Sequence, residues 1–448
     1  MKIYNTLTRK KETFKPLKKE SINFFLCGPT VYDYIHIGNL KTFTQFDSIV
    51  KYLRYKKFKV RYIQNITDID DKIINEARKK NKTPKEISEF YTKAFLEEIK
   101  SYNINSVDKY VPATNHIQEI IKQIQTLVKK GYAYETEDGI YFRVSRFKDY
   151  GKLSHQDIRK IKQGARVEIN EKKENPIDFV LWKKYKVGEP FWNSPFGKGR
   201  PGWHIEDTAI TEYYFGPQYD IHGGGEDLTF PHHEAEIAQM ESVSGKKPLV
   251  KYWMHTAFLN LKKEKMSKSI GNTINAKSLK EKYDPRAIRY LFVSNHYRTP
   301  IEFSQESIEH AKNSLDRLDD FIRYLKRSKE KDNPSIIKKT KKEFIKSMDD
   351  DFDTPKAFAI IFEFIRESYK HGGSKESLKF MKEIDQVFSI LNFKESKVEQ
   401  KILDLIKKRE EARKNKDFKT ADKIREELKQ KGIILEDSKE GVIWKFSS

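Results

Sequence analysis

The chain has 448 residues, 88 Lys and Arg against 66 Asp and Glu, a formal net charge of +22 at neutral pH, and one cysteine. That length exceeds one ordinary hydrophobic core and fits roughly two to four domains. Charged residues make up 34% and hydrophobic ones 37%, and the mean hydropathy is −0.78; no run approaches the ~18 apolar residues of a membrane span, and a lone cysteine without a leader pattern after Met1 excludes a secreted disulfide scaffold. A cytoplasmic protein without a membrane partner is expected. Lys outnumbers Arg more than three to one, as compositional drift alone would give, yet the charge still favours contact with nucleic acid through phosphate neutralisation.

In chain order, Ile22 to Cys27 is an apolar run closed by Gly28-Pro29. Leu40, Phe43, Phe46, Val50 and Leu53 then recur at steps of three or four, which predicts strand, turn, helix. Lys57 to Ile66 alternates, and a helical pattern follows from Asp68 to Ala77. This β-α-β-α start is the seed of a doubly wound parallel sheet. From about 110 to 200 the pattern changes to a helix over His116 to Lys130, a strand pair around Tyr132 to Val144 and a Gly- and Pro-bearing stretch from Asn175 to Gly202. That stretch reads as an insertion splitting the nucleotide fold. Alternation resumes at Trp203, and a strand from Tyr252 to Leu261 runs into a basic segment at Lys262.

Beyond residue 280 strands nearly vanish. Asp284-Pro285 starts a helix with a capping side chain and Pro at the first position. Ile308, Ala311, Leu315, Leu318, Ile322 and Leu325 form the stripe of a bundle core; a charged linker covers Lys326 to Lys342, and a further helix Ala357 to Tyr369. Two charged helices at about 398 to 414 and 418 to 430 stop at Gly432, before a hairpin from Ile433 to Phe446 that turns at Ser438 to Gly441. The expected class is α/β: a split Rossmann-type domain in residues 1–110 and 203–262, an inserted α+β domain in 111–202, a signature-loop region in 263–305, a helical bundle in 306–395, and a small C-terminal α+β domain in 396–448.

Two short words carry chemistry. Lys265-Met266-Ser267-Lys268-Ser269, with Gly271-Asn272 beyond, places two lysines where they can neutralise a pyrophosphate as charge develops on it. A Lys-rich solvated loop looks the same in isolation. His36-Ile37-Gly38-Asn39 opens the first helix, where the backbone N–H groups and the helix dipole favour anions. His232 and Glu236 stand four apart on one face of a helix opened by Pro231, either half a zinc site or an ordinary polar pair.

The two words together resemble the signature of class I aminoacyl-tRNA synthetases. Cys27-Gly28-Pro29-Thr30-Val31-Tyr32-Asp33, Asn65 to Lys72, Arg200 to Glu206, Asp220 to Gly225 and Phe230-Pro231-His232-His233-Glu234 narrow the resemblance to the cysteinyl-tRNA synthetases over essentially the whole chain. The resemblance implies ATP-dependent activation of cysteine to an adenylate and its transfer to the terminal adenosine of the cysteine tRNA. Magnesium would accompany ATP, one zinc ion would select the substrate thiolate, and the chain would be a monomer. His36, Asn39, Lys265 and Lys268 are the implied catalytic groups. His222, Gly223, Gly224 and Gly225 match the adenosine-binding strand end; Cys27, Gly28, Thr67, Trp203 and Asp227 match the cysteine pocket, with Asp227 on the ammonium.

The implied zinc ligands are Cys27, Asp207, His232 and Glu236, and here the chain departs from its relatives, whose fourth ligand is normally a second cysteine where Asp207 stands. The ligand charge is unchanged, but one thiolate instead of two makes the site harder and less selective for zinc. Asn39 is a second departure, because the tetrad more often ends in His. In the tail, Arg413, Asp422 and Asp437 match positions that read anticodon bases, and Phe418 stands where relatives have Trp, still able to stack on a base. Two other classes stay open: a ligase that delivers activated cysteine to a small amine, against which residues 400 to 448 argue, and a non-catalytic tRNA-binding paralogue, against which His36 and the two lysines argue.

Overall fold

A computed structural model describes residues 1–156, 172–261, 264–265, 274–393, 397–438 and 441–446. Strands β1 (Lys2–Asn5) and β2 (Lys10–Thr13) form an antiparallel hairpin. The apolar strand β3 (Ser21–Leu26) leads to helix α1 (Ile37–Tyr55), and β4 (Lys59–Ile66) leads to α2 (Asp71–Lys80) and α3 (Pro84–Ser101). Their starts are chemically marked: Asp70 caps α2, and Thr83 with Glu86 makes a reciprocal capping box ahead of α3, whose first residue is Pro84. After β5 (Lys109–Pro112) and α4 (Ile117–Lys129), strands β6 (Ala133–Glu135), β7 (Gly139–Phe142), β8 (Phe179–Lys184) and β9 (Gly199–Pro201) build an inserted antiparallel sheet. The chain returns through α5 (Ile205–Phe215), β10 (Tyr219–Gly225), α6 (Glu234–Ser244) and β11 (Val250–Thr256).

The central sheet is parallel throughout, in the order β11-β10-β3-β4-β5. From β3 the chain winds outward through β4 and β5, then comes back to lay β10 and β11 on the other side. The strand order therefore reverses between β3 and β10, and the crevice at their carboxyl ends is where doubly wound sheets place their ligands. Cys27 N–H donates to Gly223 O at 3.1 Å across that crevice.

The expected strand Tyr252 to Leu261 is two strands. β11 stops at Thr256, Ala257 N–H turns to Tyr297 O, and β12 (Leu259–Leu261) joins a different sheet with β13 (Glu264–Lys265) and β14 (Ile301–Phe303). Helices α7 (Ala276–Lys282) and α8 (Pro285–Val293) precede a bundle of α9 (Gln305–Arg327), α10 (Pro334–Met348), α11 (Thr354–His371) and α12 (Lys375–Phe388). Most of the expected charged linker over 326–342 is helix: Asn333 caps α10, Pro334 opens it, and Thr340, Phe344, Ser347 and Met348 face inward while the lysines stay in water. Helices α13 (Lys397–Lys414) and α14 (Phe418–Gln430), with the hairpin β15 (Ile433–Ser438) and β16 (Gly441–Phe446), enclose a small separate core of Ile402, Ile406, Ile424, Leu428, Ile433 and Leu435.

Two junctions tie the bundle to the sheet. Arg289 of α8, fully buried, pairs with Asp47 of α1 and donates to Phe388 O and Tyr102 O. At the amino terminus, Lys2 N–H donates to Asp349 O, Asp351 N–H to Lys2 O, and Tyr4 N–H to Asp351 Oδ1.

Candidate active site and metal centre

The site begins at the carboxyl end of β3. Cys27 is the first residue beyond the strand, and Gly28 N–H donates to Asn65 Oδ1 at 2.5 Å. Chain packing is so close there that a Cβ on Gly28 would lie 1.7 Å from Asn65 O. Thr67, at the end of β4, is buried and donates to Glu206 Oε2 at 2.9 Å. The short segment between β9 and α5 brings Trp203, which is 38% exposed and stacks on the His232 ring with centroids 4.2 Å apart.

Four buried side chains converge at the crevice. Cys27 Sγ lies 3.2 Å from Asp207 Oδ2 and 4.0 Å from Glu236 Oε1; His232 Nε2 lies 3.1 Å from Asp207 Oδ2 and 3.3 Å from Glu236 Oε1. Asp207 comes from the first turn of α5 and Glu236 from the first turn of α6, so both helices aim their amino ends at the centre. Asp207 Oδ2 thus lies within reach of both Cys27 and His232. Two further imidazoles close on the same sulfur, His222 Nε2 at 3.3 Å and His233 Nε2 at 3.1 Å. Cys27, Asp207, His232 and Glu236 form one set whose donor atoms could share an ion, and Cys27, His222, His233 and Glu236 form another.

The donor chemistry fits a divalent cation. Asp207 Oδ1 and Glu236 Oε2 are buried without a hydrogen-bond partner, and the ion-pair partners of these two carboxylates among the described residues are imidazoles. Burial, then Asp207 and Glu236, pushes the Cys27 thiol well up; burial, then Asp207, pushes Glu236 up; burial holds His222 and His233 neutral, the form that binds metal. A cation at the centre supplies the missing counter-charge, and zinc suits sulfur, nitrogen and oxygen donors together.

His36 caps α1, its Nδ1 accepting from Asn39 N–H at 3.2 Å, and both residues are half-buried at the crevice mouth. The segment after the lysine word returns directly to this cap: Ile37 N–H donates to Ile274 O and Ala276 N–H to Ile35 O. Lys265 lies on β13, paired with Asn260. Lys268, Gly271 and Asn272 lie outside the described residues. His222 stands on β10 with its imidazole buried against Cys27, while Gly223 and Gly225 carry the strand on to Asp227. Asp227 is close enough to raise the Cys27 thiol, and it lines an open cavity of about 640 Å³ with Tyr4, Thr6, Glu226, Phe230 and His255. Arg413, Phe418 and Asp422 are exposed on α13 and α14, remote in sequence from the crevice; the Asp437 side chain lies outside the description.

Sequence reasoning missed several groups. His204 Nδ1 bonds His232 Nδ1 at 2.8 Å, and His255 Nε2 bonds His233 Nδ1 at 2.8 Å. The signal that could have found them is that His204, His222, His232, His233 and His255, five of eleven histidines, fall between residues 204 and 255. Lys41 is buried on α1, donates to Ala257 O, and is lowered to about 7 by burial.

Residues 13–313 match the family described as tRNA synthetases class I (C) catalytic domain, 343–392 match the DALR domain, and 397–444 match the cysteinyl-tRNA ligase anticodon binding domain. The chain belongs to the cysteinyl-tRNA synthetase family. It is 47% identical to a cysteine–tRNA ligase of Thermodesulfovibrio yellowstonii and 45% identical to one of Thermococcus gammatolerans, each comparison covering 99% of this chain and 99% of the relative. Among solved structures, the methionyl-tRNA synthetase of Mycobacterium tuberculosis with methionyl-adenylate superposes with a TM-score of 0.60 at 14% identity, covering 82% of this chain and 88% of that one. The LeuRS of Agrobacterium radiobacter, in a ternary complex with tRNA, gives 0.62 at 9%, covering 84% and 85%. This cysteinyl-tRNA synthetase shares their fold; no helix among its described residues is long and apolar enough to cross a membrane.

Proposed function

We propose that the chain activates cysteine with ATP at the β3/β10 crevice and passes it to the terminal ribose of the cysteine tRNA, as a cysteine–tRNA ligase. The observation that carries this reading is the convergence of the single cysteine, Cys27, with Asp207, His232 and Glu236, in a chain whose first helix is capped by His36. In the first step the cysteine carboxylate attacks the α-phosphate in line, forming the adenylate and releasing pyrophosphate. His36 and Asn39, at the amino end of α1, are assigned to the phosphate oxygens, and Lys265 with Lys268 to the charge that develops on the leaving pyrophosphate. Magnesium enters with ATP. Asp227 is assigned to the substrate ammonium, and Trp203 and Thr67 wall the side-chain pocket. No protein nucleophile is needed, so Cys27 is a ligand.

Cys27, Asp207, His232 and Glu236 would hold zinc. When bound, the ion supplies a preference for thiolate over hydroxyl, which an apolar pocket could not extend beyond about 1–3 kcal/mol between close isosteres. Discrimination from serine rests on that preference. Arg413, Phe418, Asp422 and Asp437 are assigned to the anticodon, with the exposed Phe418 ring as a stacking platform.

Cysteine-dependent ATP–pyrophosphate exchange and then charging of purified cysteine tRNA test the reading. Both are expected. Exchange without charging would point to a small-amine acceptor, and tRNA binding without exchange to a non-catalytic role.

A further inference from the structure

Helix α1 is buried over most of its length, yet one of its faces is polar. Lys41, Thr42, Gln45 and Ser48 share that face at helical spacing, all four are buried, and Lys41 is only 1% exposed. Each of them is bonded to one of two segments. Lys41 Nζ donates to Ala257 O, and Thr42 Oγ1 shares a hydrogen bond with Thr256 Oγ1 at 2.8 Å. One turn on, Gln45 Nε2 donates to Phe292 O at 3.0 Å and to Asn295 O at 3.3 Å, and Ser48 Oγ accepts from Arg289 Nη2 at 3.4 Å. Thr256 and Ala257 form the kink at which the chain leaves the central sheet for β12 and β13, and Arg289 to Asn295 close α8. The helix whose first turn holds His36 and Asn39 is therefore bonded, through one face, to the chain on both sides of the lysine word.

We infer that Lys41 is a positioning residue for adenylate formation: it fixes the kink at Ala257, and through it the β12–β13 strand pair that carries Lys265, relative to the helix that carries His36. The inference rests on the reading of the crevice as the site of cysteine activation. Both backbone groups of Ala257 are held by other elements, its N–H by Tyr297 O at 2.9 Å and its carbonyl by Lys41. β12 begins two residues later, and its Asn260 pairs directly with Lys265, so little slack separates the Lys41 bond from the Lys265 backbone. Stability alone is a poor reason for a lysine in this place. Burying an ammonium is costly, and here its bonded partner is a carbonyl, with Glu226 acting on it through space. Burial accordingly lowers the Lys41 amine to about 7. A methionine of the same length would fill the volume without that cost. What it would not supply is a directional bond that locates the kink, and groups buried at such cost beside a reaction site are candidates for a part in the reaction.

Cysteine-dependent pyrophosphate exchange by the full chain, with active sites counted by the adenylate burst, tests this in Lys41→Met. A fall of about 10–100-fold in kcat is expected, as a misplacement of about 1 Å would give, with KM for cysteine within about twofold because Cys27, Thr67 and Trp203 stand at β3, β4 and α5. The thermal melt is expected to stay within a few degrees of wild type. A double-mutant cycle with Lys265→Ala separates positioning from a structural role. If Lys41 acts through Lys265, the combined loss is at least about threefold smaller than the product of the two single losses. A simple product overturns the inference, and so does wild-type kcat in Lys41→Met. Where Lys41→Met melts below the assay temperature, Thr42→Val, which removes only the hydroxyl bond to Thr256, enters the same cycle and is judged by the same outcomes. A wild-type chain without cysteine-dependent exchange overturns the reading of the crevice and this inference together, whereas a wild-type chain that exchanges, with losses that multiply, removes the inference alone.

Discussion

Replacing Gly28 with alanine would put a Cβ 1.7 Å from the Asn65 carbonyl oxygen and 2.8 Å from its carbon. The clash is against backbone, so no rotamer relieves it, and the carboxyl ends of β3 and β4 must separate by more than an ångström. Cys27 is the neighbouring residue and Thr67 stands two places after Asn65, so the separation moves apart two residues assigned above to the cysteine pocket. Overpacking of this kind costs about 1–3 kcal/mol of stability. A misplacement of about 1 Å at a reacting centre costs on the order of 10²-fold in rate. Gly28→Ala is therefore expected to fold, to melt earlier, and to lose about 100-fold in kcat/KM for cysteine in pyrophosphate exchange. Gly188→Ala is the control: it has a left-handed φ of +82° but nothing within 4 Å of the new carbon, so it should cost stability by backbone strain alone and leave exchange within about twofold. Wild-type cysteine kinetics in Gly28→Ala would refute the argument that this close approach sets the pocket.

Three further outcomes are expected. Asp47→Ala strands a buried guanidinium: burial alone would raise the Asp47 carboxyl, but Arg289 and Lys51 hold it at about 2, and urea denaturation should show a loss of about 3–5 kcal/mol. Glu98 of α3, buried and accepting from Ile35 N–H at 3.4 Å, is pushed by burial from 4.5 up to about 7. Between those values the folded state holds a proton that the unfolded state has released, so this group's contribution falls as pH rises from 4.5 through 7. Glu98→Gln should thus be more stable than wild type at pH 8, by up to about 3 kcal/mol, with the difference vanishing toward pH 4; equal differences at both pH values would refute this. Phe418, 60% exposed at the start of α14, should on replacement by alanine weaken tRNA recognition by about 1–3 kcal/mol, read as a raised KM for tRNA in charging with pyrophosphate exchange unchanged.

Local words were legible in the sequence because their chemistry is local. His36 caps the helix it opens, Asp284-Pro285 starts α8, and Gly432, with φ of 73°, ends the region of α14 as expected. The α/β class and the late hairpin are carried by periodicity. What stayed hidden depends on who sits beside whom. The approach of His222 and His233 to Cys27 exists because β10 lies next to β3, a pairing that no spacing along the chain encodes. Helix α10 was obscured because five lysines between 338 and 346 mask an inward face of only a few residues. A backbone bond from Ile37 N–H to Ile274 O ties the first signature word to the segment that follows the second; side-chain patterns carry no trace of it.

The amino-terminal junction sets a timetable for synthesis. β1 leaves the ribosome well ahead of the carboxylate that accepts from Tyr4 N–H, which is 347 residues further along. At about 5–20 residues per second that partner arrives roughly 20–70 s later. Until then the hairpin has its own pairing and its bonds to β11, such as Asn5 Nδ2 to Lys251 O and Thr6 N–H to Trp253 O. A chain interrupted before Asp349 therefore carries nearly all the residues of the crevice and the bonds to β11, but lacks the bonds from Asp349 and Asp351 that clamp Lys2 and Tyr4 to the bundle.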